Sequence, residues 1–135
     1  MKLYYKIKWK IINTWWDLRK RCQRFKRGFS WGDVWDMNQW FMEIAKPMLT
    51  HLKTNGISYP TEFKDRDEWC AVLGEMIACL ELMEEDKVYE FIGFRKYEDY
   101  WRMTTEDRKK AYEIRECNKN RFFDLFSKHF YDLWD

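Results

Sequence analysis

A chain of 135 residues, 46% hydrophobic and 36% charged, is long enough to bury a core of its own and too apolar for the disordered class. Its net charge of +2 conceals a division: residues 1–27 carry ten Lys and Arg against Asp17 alone, a net +9, which leaves −7 for residues 28–135. No window approaches the roughly 18 apolar residues that a spanning helix needs, nor the shorter apolar run and small-residue cleavage site of a secretory signal.

Two prolines and five glycines leave few places to interrupt helices. They predict an all-α fold: a single domain, residues 1–135, forming a bundle of four to five helices with a long N-terminal and a long C-terminal helix. Along the first helix, Leu3, Ile7, Ile11, Trp15, Leu18, Cys22 and Phe25 recur every three or four residues and mark a face that turns to the core. Tyr5, Trp9, Ile12 and Trp16 form a second apolar stripe, with Lys6, Lys10, Lys20, Arg21 and Arg24 in the sector between. A helix apolar on two faces needs two partners.

Gly28 is the expected stop, and Ser30 with Asp33 reads as a capping box, with Phe29 and Val34 as its staple. The next helix is expected to run to Asn55-Gly56 with Val34, Met37, Phe41, Ile44, Ala45, Met48 and Leu52 toward the core, a kink at Pro47, and a secondary stripe of Trp35, Met42 and Leu49. A loop around Tyr59-Pro60 leads to a third helix from about Asp67, with Trp69, Val72, Leu73, Met76, Leu80 and Met83 inward. Residues 86–103 read as a short helix and an aromatic connection interrupted at Gly93. Thr104 with Asp107 opens the closing helix, whose inner side is Ala111, Ile114, Asn118, Phe122, Leu125, Phe126, His129 and Leu133.

Cys22, Cys70, Cys79 and Cys117 include no C-x-x-C pair, and His51 and His129 stand far apart. That spacing offers no zinc site, so no metal and no cofactor is expected. A chelator should leave the melting temperature unchanged, and the thiols read as free, mostly buried and in a reducing cytoplasm.

The segments opening "RGFSWGDVW", the "NGISYP" loop and the ending "LFSKHFYDLWD" resemble a family of small uncharacterised bacteriophage and prophage proteins with the pattern R-G-[FY]-S-x-x-D-V-W, N-G-x-x-Y-P and L-F-x-K-x-F-x-x-L-W-D. The similarity covers about two-thirds of the chain, carried by Arg27 to Trp35, Asn55 to Pro60 and Leu125 to Asp135, and leaves residues 84–104 outside it. It implies a phage protein acting in the host cytoplasm and carries over no catalytic residue.

Three functions are weighed. The first is a non-enzymatic, stoichiometric binder that antagonises host defence by occluding a host protein or sequestering a small anionic nucleotide, with Arg24, Arg27, Trp35 and Tyr59 as ligand-binding candidates. Aromatic rings stack on a base while guanidinium groups pair with phosphates. Each has a plainer reading: Trp35 as packing, Arg24 and Arg27 as favourable charges at a helix C-terminus. The second is nucleic-acid binding by the basic first helix. The third, an enzyme using Glu68 with Glu75 or Asp33 with Asp36, lacks a nucleophile-base pair, phosphate loop or metal cluster. The stripe Tyr5, Trp9, Ile12 and Trp16 is expected to be a homo-oligomer interface, with a membrane surface as the competing cover; among partners, nucleic acid ranks below a second copy, host protein or small nucleotide, and a membrane surface is not expected.

Overall fold

The structure is a computed structural model that describes the backbone of residues 2–95 and 97–134 and the side chains of 4–95 and 99–134. Among these residues there are six α-helices and no strand. The chain resolves into two compact units, residues 1–41 and 42–135.

The first unit is built on α1 (Lys2–Arg27). It ends because Gly28 takes φ 80°, a left-handed conformation that spares a Cβ clash, and donates its N–H to the Arg24 carbonyl at 2.8 Å. Two residues on, Ser30 caps α2 (Trp31–Trp35) through the anticipated box: the Asp33 N–H donates to Ser30 Oγ and the Ser30 N–H to Asp33 Oδ2, at 3.4 and 2.7 Å. The expected staple is not a buried one, since Phe29 and Val34 are both exposed.

Helix α3 (Met37–Asn55) starts afresh after Asp36, whose φ −133° and ψ 53° leave the helical region. The single helix expected across this stretch is thus two, with the break at Asp36, and Pro47 lies inside α3. The apolar faces also exchange roles. Met42 and Leu49 of the supposed flank are buried, whereas Val34, Met37, Ile44 and Met48 of the supposed core are exposed.

The second unit takes its core from α4 (Arg66–Met83) and α6 (Thr105–Lys128). Asp65 caps α4 by accepting the Glu68 N–H, and Thr104 with Asp107 closes the capping box of α6. Their partners run in opposite senses: Arg121 pairs with Glu75 at 2.6 Å, and Arg115 Nε donates to the Met83 carbonyl at 3.0 Å, so the helices are antiparallel. Trp69, Leu73, Met76 and Leu80 on one and Ala111, Phe122 and Leu125 on the other are buried, as the three-four spacing predicts. Each large side chain so removed from water contributes about 1.5–3 kcal/mol.

Between them α5 (Glu85–Phe91) ends in a Schellman turn in which Phe94 donates to the Tyr89 carbonyl and Gly93 (φ 106°) to that of Glu90. Val88, Tyr89, Met103 and Ala111 form a second small cluster, with Tyr100 and Ile114 against it. A 3₁₀ turn, Phe130–Asp132, follows α6. All four cysteines are free, but Cys22 and Cys117 are exposed, against the expectation of mostly buried thiols.

Candidate functional site

Helix α1 overturns the largest expectation of the sequence. Its supposed core stripe is in water: Ile7, Ile11, Trp15, Leu18 and Cys22 are exposed, and Phe25 is 93% exposed; the side chain of Leu3 lies outside the described residues. The second stripe is open too, with Tyr5, Trp9 and Trp16 exposed and Ile12 half-buried. The three-four spacing was real, but among the described residues no element of its own unit fills either side. Soluble proteins seldom leave contiguous apolar faces of this extent uncovered.

Charge is threaded through the aromatics. The Arg19 guanidinium lies over the rings of Trp15 and Trp16 at 5.6 and 5.5 Å, and that of Arg27 over Phe29 and Trp31, each at 5.5 Å. Cations so placed are held by the ring quadrupole and keep a face toward solvent. At the α1–α2 corner, Trp16, Arg19, Lys20, Gln23, Trp31 and Gly32 line an open groove of about 280 Å³. Gly32 matters to its floor, because a Cβ there would stand 3.4 Å from Lys20 Cε. None of its lining residues was among the expected ligand contacts; the i, i+3, i+4 run Trp16, Arg19, Lys20 was the signal, and Trp31 joins only through the turn at Gly28.

The corner is held by a clamp. Arg24 donates from Nε and Nη2 to the two oxygens of Asp33, at 2.9 and 2.5 Å, and the Trp31 N–H donates to Gln23 Oε1 at 3.0 Å. The Arg24 guanidinium, with the Ser30 N–H and hydroxyl, holds the buried Asp33 carboxyl well below the usual carboxylate range, although burial opposes it. Arg24 is therefore a positioning residue for the α1–α2 turn. Removing it would strip a buried carboxylate of its partner. Arg27 and Trp35 sit exposed on the first unit, Trp35 at 89%, and Tyr59, also exposed, belongs to the second.

The chain matches no family model, no curated protein and no solved structure. What it can do must be argued from its surfaces. No helix among the described residues is long and apolar enough to cross a membrane.

Proposed function

We propose that this chain is a non-enzymatic, phage-type binding protein whose recognition element is α1, and that it acts stoichiometrically in the host cytoplasm by occupying a partner. The observation that carries this reading is the exposure of both apolar stripes of α1, with Trp9 at 62%. Aromatic side chains bring large contact area at small cost in rotamer freedom, which is why they concentrate binding energy at interfaces.

Its first partner is a second copy. Residues 1–27 carry net +9 and residues 28–135 net −7, so the basic sector of one α1 suits the acidic remainder of a neighbour, and a two-fold pairing covers the stripe of Tyr5, Trp9, Ile12 and Trp16. Light scattering is expected to give a mass above the 17.1 kDa of one chain, and the double change Trp9→Glu with Trp16→Glu to reduce it to one chain. A wild type that is monomeric at micromolar concentration, with vesicle flotation or bound nucleic acid instead, transfers α1 to a lipid or polynucleotide surface and overturns the pairing.

A second reading is favoured by the groove itself: two indoles, Trp16 and Trp31, with Arg19 and Lys20 between them suit a small anionic nucleotide. Sequestration of such a ligand would antagonise a nucleotide signal. Calorimetry with mono- and dinucleotides tests it. Arg19→Ala with Lys20→Ala should weaken binding at least tenfold, at about 1.5–3 kcal/mol per lost charge-assisted contact; equal affinity removes the groove from consideration.

A further inference from the structure

Far from α1 in sequence, three side chains of the second unit converge. His129, the residue that ends α6, is buried at 1% exposure, with its backbone N–H on the Leu125 carbonyl at 3.0 Å. Its Nδ1 lies 3.1 Å from Glu62 Oε1 and 3.4 Å from Asp132 Oδ2. The ring is fixed from behind by Phe63 and Trp69, whose centroids each stand 5.4 Å away. Asp132 is set by the 3₁₀ turn, its N–H donating to the His129 carbonyl, and Glu62 by the turn in which the Phe63 N–H reaches the Pro60 carbonyl.

Hydrogen bonding alone accounts poorly for this arrangement. One nitrogen faces two carboxylates, and it carries at most one proton to share between them. Among the described residues no lysine or arginine pairs with Glu62 or Asp132, so the cluster keeps a net charge of −1 with an imidazolium and −2 with a neutral ring. The spacings fit another occupant. Donors bound at about 2.1 Å from a first-row metal ion, at angles between octahedral and tetrahedral, stand roughly 3.0–3.4 Å from one another, and the two distances to Nδ1 fall in that interval. The three donor atoms all lie within 4.8 Å of one another.

We propose that Glu62, His129 and Asp132 form a binding site for a divalent first-row cation, with Mn²⁺ and Zn²⁺ the natural probes. One imidazole with two carboxylates is a mixed nitrogen and oxygen set that suits these ions, whereas Ca²⁺ and Mg²⁺ prefer oxygen alone. Binding uses the Nδ1 lone pair, with the ring proton on Nε2. The buried, aromatic-backed imidazole supplies a fixed first ligand, and the part-exposed carboxylates close on the ion from the solvent side. The spacing of the cysteines and histidines led to the expectation of no metal and of a melting temperature indifferent to chelator; a site here reverses both, because Glu62 and Asp132 reach His129 only through the fold.

The test uses the full chain, freed of metal by chelator dialysis and titrated separately with Mn²⁺ and Zn²⁺. Calorimetry should show one site per chain, and each ion should raise the melting temperature. Glu62→Gln and Asp132→Asn, each verified by circular dichroism, should weaken binding at least about tenfold, the loss that removal of even an outer-shell partner causes at metal sites. No heat and no thermal shift in the wild type would leave an imidazole-carboxylate ion cluster only and overturn the proposal. Undiminished binding in both variants would overturn it as well, by placing the ion elsewhere, for instance on the exposed thiols of Cys22 or Cys117.

Discussion

Helices α1 and α6 look alike on paper, each more than twenty residues of mixed charge with apolar residues three and four apart, yet one is bare and the other is core. The inner side of α6 meets α4, so Ala111, Phe122 and Leu125 lose their contact with water. Among the described residues, the stripes of α1 find no comparable partner within their own unit. Periodicity therefore reports that a face seeks an apolar partner, and says nothing of whether that partner is in the same chain.

The sharpest way to break the comparison is to delete matched side chains. Phe122→Ala should cost about 3–5 kcal/mol in denaturant unfolding, as truncation of a fully buried aromatic does. The change Leu18→Ala, on the exposed stripe, should move the unfolding of a dilute, dissociated sample by no more than about 0.5 kcal/mol. A loss of several kcal/mol at Leu18 would mean that α1 is covered within its own chain.

Next in size is the α1–α2 clamp. Asp33→Asn should cost about 1–3 kcal/mol locally by removing a charged hydrogen-bond acceptor at a buried position, read as faster amide exchange in residues 28–36. Because Arg24 lowers the Asp33 pKa in the folded state, the carboxyl contributes stability that is present above its unfolded value of about 3.9 and lost as pH falls toward the folded one. Amide exchange at the corner should accelerate in acid below about pH 4 in the wild type and not in the Asn variant.

The smallest effect belongs to the second unit at the alkaline end. Burial, and the hydroxyl donated to Asp86 at 3.0 Å, push Tyr100 up to about 12. The shift is upward, so its contribution is complete below the unfolded tyrosine value near 10 and is lost as pH rises through the folded one. Tyr89 is also pushed up, by its hydrogen bond to Glu85 and by burial, so absorbance at about 295 nm should show late-titrating tyrosinate, one equivalent of which is missing in Tyr100→Phe, at a stability cost near 1 kcal/mol.

Local signals were the legible ones. The two capping boxes, the stop at Gly28 and the buried faces of α4 and α6 depend on residues within a few positions of one another, so the order of amino acids carries them. The break at Asp36 was hidden because no Gly or Pro marks it. The exchange of faces in α3 arose because apolar residues occur on more than one side, and periodicity cannot choose between them. For the two sites the lesson is distance: the groove joins Trp16 to Trp31 around a turn, and the ion cluster joins Glu62 to His129 across the length of the second unit.

The Arg24–Asp33 clamp closes a loop of only nine residues, whereas Glu75 must wait for Arg121, 46 residues later. Short loops close faster than long ones, by about tenfold for this difference in length. During folding the α1–α2 corner thus forms ahead of the core of the second unit, and its tryptophans are on display from the first moments. Ten Lys and Arg on that same segment, against a single Asp, make half-folded copies repel one another through this interval, which guards the bare aromatics of α1 against premature association.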